Sequence, residues 1–229
     1  MKIAGLQKLT LLDYPEKIAC IVFTGGCNFK CPFCHNASLV LGGEHEDISE
    51  EEFFAFLQKR KGMLNGVCVT GGEPTLQKDL LPFLKKIKDM GYSVKLDTNG
   101  YKPDVLKAAV ETGLVDYVAM DIKNSPAKYP ETCGNPAVLS KVCQSVDILK
   151  QNRVDYEFRT TVTGNLHEVA DFEAIGQWII GAERYFLQPF SESSDLLDAN
   201  ADFSVPAKLL DEALAVVRKY VPQAGIRGR

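Results

Sequence analysis

No apolar run in this chain approaches the roughly 18 residues that a membrane-spanning helix needs, so no membrane partner is expected. Basic charge is not in excess either. Its 26 Lys and Arg stand against 30 Asp and Glu, a formal charge of -4, and nucleic-acid binding has no electrostatic case. An export signal is missing as well, because Lys2, Lys8, Asp13, Pro15 and Glu16 interrupt the stretch from Met1 to Lys17. Linkers, low-complexity tracts and repeats are absent, which predicts one domain over residues 1–229. Seven cysteines without an export signal point to the reducing cytoplasm, where clustered thiols more often bind metal or catalyse than form disulfides.

What stands out is Cys27-Asn-Phe-Lys-Cys31-Pro-Phe-Cys34-His-Asn36, three cysteines at C-x3-C-x2-C with no fourth at comparable spacing. Soft sulfur ligands suit zinc, copper(I) or an iron–sulfur cluster. A [4Fe–4S] cluster normally takes four cysteines, so three would leave one iron open to another ligand. A zinc site completed by His35, immediately beside Cys34, would be an awkward tetrahedron.

Around this stretch the chain alternates short apolar runs with amphipathic ones. The β-branched runs Ile18–Thr24, Val67–Thr70, Ser93–Asp97, Val115–Ile122, Val154–Val162 and Arg184–Gln188 predict six strands. Helices are predicted from Ser49 to about Arg60, then over Asp79–Met90, Pro103–Thr112, Ala137–Gln151, Glu168–Ile180 and Pro206–Tyr220. Strands that each feed a helix imply parallel pairing, hence an α/β fold of the partial (β/α)6 TIM-like barrel type.

In such folds ligands sit at the carboxyl ends of the strands. There the sequence places the cysteine loop, Thr70-Gly71-Gly72-Glu73-Pro74, Asp97-Thr98-Asn99-Gly100, Met120-Asp121-Ile122-Lys123, then Arg159, Thr160 and Thr161, and Gln188-Pro189-Phe190. Each piece alone is ordinary loop chemistry. Six pieces on one rim suggest a shared site.

C-x3-C-x2-C with Phe33 before its last cysteine, followed by Gly71-Gly72-Glu73-Pro74, resembles the two defining motifs of the radical S-adenosylmethionine (SAM) superfamily. Cys34-His35-Asn36, Leu96–Gly100 and Asp121-Ile122-Lys123 are similar to its glycyl-radical-enzyme activases. The opening Gly5–Lys8 and Leu12–Pro15, with Phe23-Thr24, is most similar to activating proteins of anaerobic ribonucleoside-triphosphate reductase.

The resemblance implies that Cys27, Cys31 and Cys34 ligate three irons of one [4Fe–4S] cluster and that SAM chelates the fourth. It further implies reductive cleavage of SAM to a 5′-deoxyadenosyl radical, which takes a hydrogen atom from a glycine of a partner glycyl-radical enzyme. Flavodoxin or ferredoxin would donate the electron. The Gly71-Gly72 turn would let backbone approach SAM closely, and Glu73 would help to hold the methionyl ammonium. Asp121 would bind ribose hydroxyls and Lys123 the methionyl carboxylate, while Asp97, Thr98, Met120 and Asp121 are candidate ligands of a monovalent cation. Phe33 either faces adenine or packs in the core.

Some pyruvate formate-lyase activases carry a histidine after the sixth strand. Here the chain reads Gln188-Pro189-Phe190-Ser191, which argues against that subfamily. His35 is expected to order its loop, and His45 and His167 to be structural or solvated. Cys20 and Cys68 read as small buried hydrophobes, and Cys133 and Cys143 have poor spacing for a second cluster. The competing readings are an activase of another glycyl-radical enzyme of the pyruvate formate-lyase type, a radical SAM enzyme acting on a small molecule, such as a 7-carboxy-7-deazaguanine synthase, and a non-catalytic metal or electron-transfer protein.

Overall fold

The computed structural model describes residues 1–42, 47–192 and 195–228; His45 lies outside them. Eight strands form one sheet in chain order: β1 (Ile3–Thr10), β2 (Ala19–Thr24), β3 (Gly66–Gly71), β4 (Ser93–Thr98), β5 (Tyr117–Asp121), β6 (Asp155–Val162), β7 (Tyr185–Pro189) and β8 (Gly225–Ile226). β1 runs antiparallel to β2, and every later pair is parallel. The six expected strands are β2 to β7. They are near-continuous apolar runs because helices cover the sheet.

The two edges were not legible. β1 reads Ile-Ala-Gly-Leu-Gln-Lys-Leu-Thr, and Gln7, Lys8 and Leu9 are exposed, so its apolar pattern is diluted as an edge strand's often is. β8 has two residues, too few for any period.

The longer helices follow the expected boundaries to within a few residues: α2 (Glu50–Lys59), α3 (Leu80–Asp89), α4 (Pro103–Glu111), α6 (Leu139–Leu149), α7 (Val169–Trp178) and α8 (Ala207–Val217). α2 begins with a capping box, in which Ser49 accepts from the Glu52 amide while the Glu52 carboxylate accepts from the Ser49 amide. α3 turns Leu80, Phe83, Leu84 and Ile87 into the core and leaves Lys85, Lys86 and Asp89 outside. Two further helices of five residues, α1 (Ala37–Leu41) and α5 (Tyr129–Cys133), are each too short to show a helical period in the sequence. Among the described residues no helix is long and apolar enough to cross a membrane.

Strand register brings the functional ends together. Thr24 pairs with Gly71, Thr98 with Met120, and Asp121 with Arg159, so residues from five successive strands stand at one rim. β1 and β8 remain at the two edges, and the sheet is open.

Candidate active site at the carboxyl ends of the strands

A cavity of about 250 Å³ opens at this rim. Cys27, Cys31 and Cys34 line it together with Phe33, His35, Gly71, Gly72, Glu73, Asp97, Asp121, Lys123 and Arg159. The expected cysteine and SAM-contacting residues therefore stand around one space, although they come from four separate segments; Met120, expected among the cation ligands, is instead buried in the core and is not part of the cavity wall.

The cysteine loop is held from three sides. Gly26 donates its amide to the Leu39 carbonyl (2.8 Å), and Lys30 donates to Cys133 (2.9 Å). From the segment after β7, Leu197 donates to the Cys34 carbonyl (3.2 Å) and Asp198 to Pro32 (3.0 Å). The Asp195 carboxylate accepts from the Ser38 hydroxyl at 2.7 Å.

The sulfurs differ in surroundings. Cys27 Sγ accepts from the Phe29 amide (3.4 Å) and from Asn99 Nδ2 (3.8 Å). Burial pushes the Cys27 thiol up to about 11 and also raises Cys34. A metal that binds them must therefore displace protons, as thiolate ligands require. Cys31 is shifted down, chiefly by the Cys133 thiol against it, an effect that outweighs burial. Cys133 is fully buried at the end of α5 and is not part of the cavity wall. Spacing offered no sign of this contact, because α5 creates it.

Gly71 and Gly72 serve a close approach, but to the chain itself. A Cβ on Gly72 would fall 2.0 Å from the Gly26 carbonyl oxygen, and one on Gly71 2.2 Å from the Thr24 amide nitrogen. Glu73 is completely buried, and its carboxylate is already occupied. One oxygen accepts from the Thr75 amide (3.0 Å), the Thr75 hydroxyl and the Thr98 hydroxyl (2.7 Å); the other accepts from the Asn99 amide (2.6 Å). The glutamate expected to hold an ammonium thus ties the turn after β3 to the turn after β4.

A chain of ion pairs crosses the rim. Lys95 Nζ lies 2.5 Å from Asp97, which also faces Arg159 at 3.3 Å. Arg159 reaches Asp121 at 3.0 Å, and Lys123 reaches the same carboxylate at 2.9 Å. Burial alone would raise Asp121, yet Lys123 and Arg159 hold it down at about 2. Asp97 is likewise lowered, with Arg159 and Lys95 outweighing burial. Three cations against two carboxylates leave one positive charge in excess. Arg159 stands between the two carboxylates expected to hold a cation, and the Thr98 hydroxyl is spent on Glu73. Lys95 and the bridging role of Arg159 were not foreseen; a charged residue inside an apolar strand was the available signal.

Of the histidines, His167 is structural. Its Nε2–H donates to the Lys123 carbonyl (3.0 Å), and its Nδ1 accepts from the Thr163 amide (3.2 Å). It therefore anchors the loop that carries Lys123. His35 stands edge-on to Phe190, with ring centroids 4.9 Å apart. Phe33 is buried edge-on to Phe203 (6.3 Å) while still lining the cavity.

The donor set suits a sulfur-rich inorganic group beside a polar ligand. Three soft sulfurs face one space, and among the described residues the buried Asn28 Nδ2 and His35 Nε2, next to the first and third cysteine, have no protein partner. No three His, Cys, Asp or Glu side chains among the described residues are close enough to grip a single metal ion, so the sulfurs line the cavity rather than meet at a point.

A parallel α/β sheet with a cysteine-lined cavity at its strand ends defines a cofactor-dependent enzyme site. Residues 21–179 match the family model of the Radical SAM superfamily, and the chain belongs to that superfamily. It is accordingly an enzyme that uses a [4Fe–4S] cluster and SAM. A relative from Methanocaldococcus jannaschii, provisionally named a glycyl-radical enzyme activating enzyme, is 32% identical over 98% of this chain and 95% of its own length. Among solved structures, a domain of pyruvate-formate lyase-activating enzyme from Bacteroides vulgatus superposes with a TM-score of 0.59 at 15% identity, covering 72% of this chain and 99% of that one. Streptococcus suis SuiB bound to S-adenosylmethionine superposes with a TM-score of 0.70 at 14% identity, over 91% of this chain and 52% of that one. At these identities the two structures speak to the fold alone.

Proposed function

We propose that this chain is a glycyl-radical-enzyme activase in which Cys27, Cys31 and Cys34 each hold one iron of a single [4Fe–4S] cluster. The observation that carries the reading is that all three cysteines open onto the cavity also lined by Asp121, Lys123 and Arg159. When bound, the cluster and SAM supply one-electron cleavage of the sulfonium carbon–sulfur bond and hydrogen-atom abstraction.

The chain's own residues bind and orient. Lys123, in the charge chain with one positive charge in excess, pairs with the methionyl carboxylate. Asp121, kept ionised by Lys123 and Arg159, accepts from ribose hydroxyls. Phe33 and the Gly71-Gly72 turn shape the wall. Glu73 acts through the turn it locks, because its oxygens are already satisfied. In this reading the Arg159 guanidinium takes the place of the cation expected near Asp97 and Asp121.

The hydrogen donor is a glycine on a separate glycyl-radical enzyme, a reading supported by the provisional name of the M. jannaschii relative. Anaerobic ribonucleoside-triphosphate reductase is the first candidate, on the resemblance of Gly5–Lys8 and Leu12–Pro15 to its activating proteins. Flavodoxin or ferredoxin supplies the electron, in the cytoplasm. The test is anaerobic mixing of the reconstituted protein with candidate glycyl-radical enzymes, SAM and reductant, read by electron paramagnetic resonance. A glycyl doublet with one candidate is the expected result. SAM cleavage with a purine precursor and no doublet with any protein candidate would overturn it in favour of a small-molecule enzyme.

A further inference from the structure

We propose that Asn99 is a positioning residue that sets the reduction potential of the cluster through its hydrogen bond to Cys27; this rests on the cysteines holding that cluster. Asn99 lies in the turn after β4 and is 5% exposed. Its amide group is fully committed. Oδ1 accepts from the Tyr101 amide (3.0 Å), and Nδ2 donates to Asn28 Oδ1 (3.1 Å) and to Cys27 Sγ (3.8 Å). Its backbone amide is pinned by Glu73 at 2.6 Å, and Glu73 is in turn fixed by Thr75 and Thr98. A turn-former needs only the Oδ1 contact. The Nδ2 contacts instead aim a donor across the rim at a cysteine 72 positions earlier in the chain.

The three sulfurs are thereby made unequal. Cys27 receives a backbone amide and a side-chain amide. Among the described residues, neither Cys31 nor Cys34 has a side-chain amide donor within hydrogen-bond distance of its sulfur. Adding an electron to a [4Fe–4S] cluster makes its ligand sulfurs more negative, so an N–H···S bond stabilises the reduced form more than the oxidised one. The donor raises the potential and eases electron entry. Glu73 and Asn99, from two separate strand-end turns, then form one support for Cys27.

The experiment is an anaerobic redox titration of the reconstituted protein, with the cluster's spectroscopic signature followed and iron content and melting temperature measured alongside. Asn99→Ala removes the donor; Asn99→Asp keeps the shape with an acceptor in its place. Both variants should hold wild-type iron and show a lower midpoint, by about tenfold in the reduction constant or about 59 mV for a one-electron couple. Asn28→Ala removes only the competing acceptor and should leave the midpoint at or above wild type. Equal midpoints in wild type and both Asn99 variants at equal iron would overturn the proposal, as would an equal fall in Asn28→Ala, which would mark general loosening of the loop. A wild-type protein that takes up no cluster would instead overturn the cysteine assignment on which the proposal rests.

Discussion

Two networks of buried charge lie on the same sheet, and they behave differently. Away from the cavity, the fully buried Glu157 accepts from Arg227 at 2.7 and 2.9 Å and from the Tyr117 hydroxyl at 2.7 Å. Arg227 also lies 3.8 Å above the Phe186 ring. Charges there sum to zero and both carboxylate oxygens are occupied, so the network is closed. At the rim, Lys95, Asp97, Arg159, Asp121 and Lys123 carry an excess positive charge, and Asp97, Arg159, Asp121 and Lys123 face a cavity. A saturated network has no acceptor left to offer a ligand. An unbalanced one beside a cavity favours a charged ligand.

The largest expected effect belongs to the cavity wall. Cys27→Ala, Cys31→Ala or Cys34→Ala should abolish both cluster iron and SAM cleavage, measured by iron analysis and product chromatography; retention of both in any one variant would remove that cysteine from the ligand set. Next comes the closed network. Glu157→Ala leaves the buried Tyr117 hydroxyl without its acceptor and frees the part-exposed Arg227, and should lower stability by about 1–3 kcal/mol in denaturant melts, while SAM affinity of the folded fraction stays unchanged. A loss of affinity as large as that of Lys123→Ala would erase the distinction between the two networks.

Acid sharpens the comparison further. Lys123 and Arg159 hold Asp121 near 2, against an ordinary value near 3.8, although burial pushes the other way. A folded-state value below the unfolded one contributes stability above about pH 4, and that contribution is lost as pH falls from there towards 2. Urea midpoints across this range should therefore slope less in Asp121→Asn than in wild type. Lys123→Ala should weaken SAM binding about tenfold, about 1.4 kcal/mol, with iron content intact in anaerobic titrations; equal affinity would end its assigned role. The smallest effect is the surface reference. Lys85 and Asp89 pair at 2.7 Å on an exposed helix face, and Lys85→Ala should cost only about 0.3–0.5 kcal/mol in the same melts.

The legibility of the fold followed the strength of local periodicity. β2 to β7 and the longer helices were readable because each buries enough apolar residues to display a period. β1, α1, α5 and β8 were not, since five or fewer residues, or an exposed edge strand, carry too little pattern. In the site, the cysteine triplet and the strand-end punctuation were readable as motifs. The partners of Glu73 were not, because Thr98 and Asn99 lie 25 and 26 positions further along the chain.

By itself the sequence determined the sulfur donors, the alternation that makes a parallel α/β sheet, and the set of polar residues at the strand ends. Those properties reside in residue type and short spacing. The tertiary structure alone decided that the Gly71-Gly72 turn is cut to fit the chain's own backbone, that Cys133 backs Cys31, and that Arg159 joins Asp97 to Asp121. Each of those contacts is made between segments distant in sequence, and strand register, which no local pattern encodes, brings them within bonding distance.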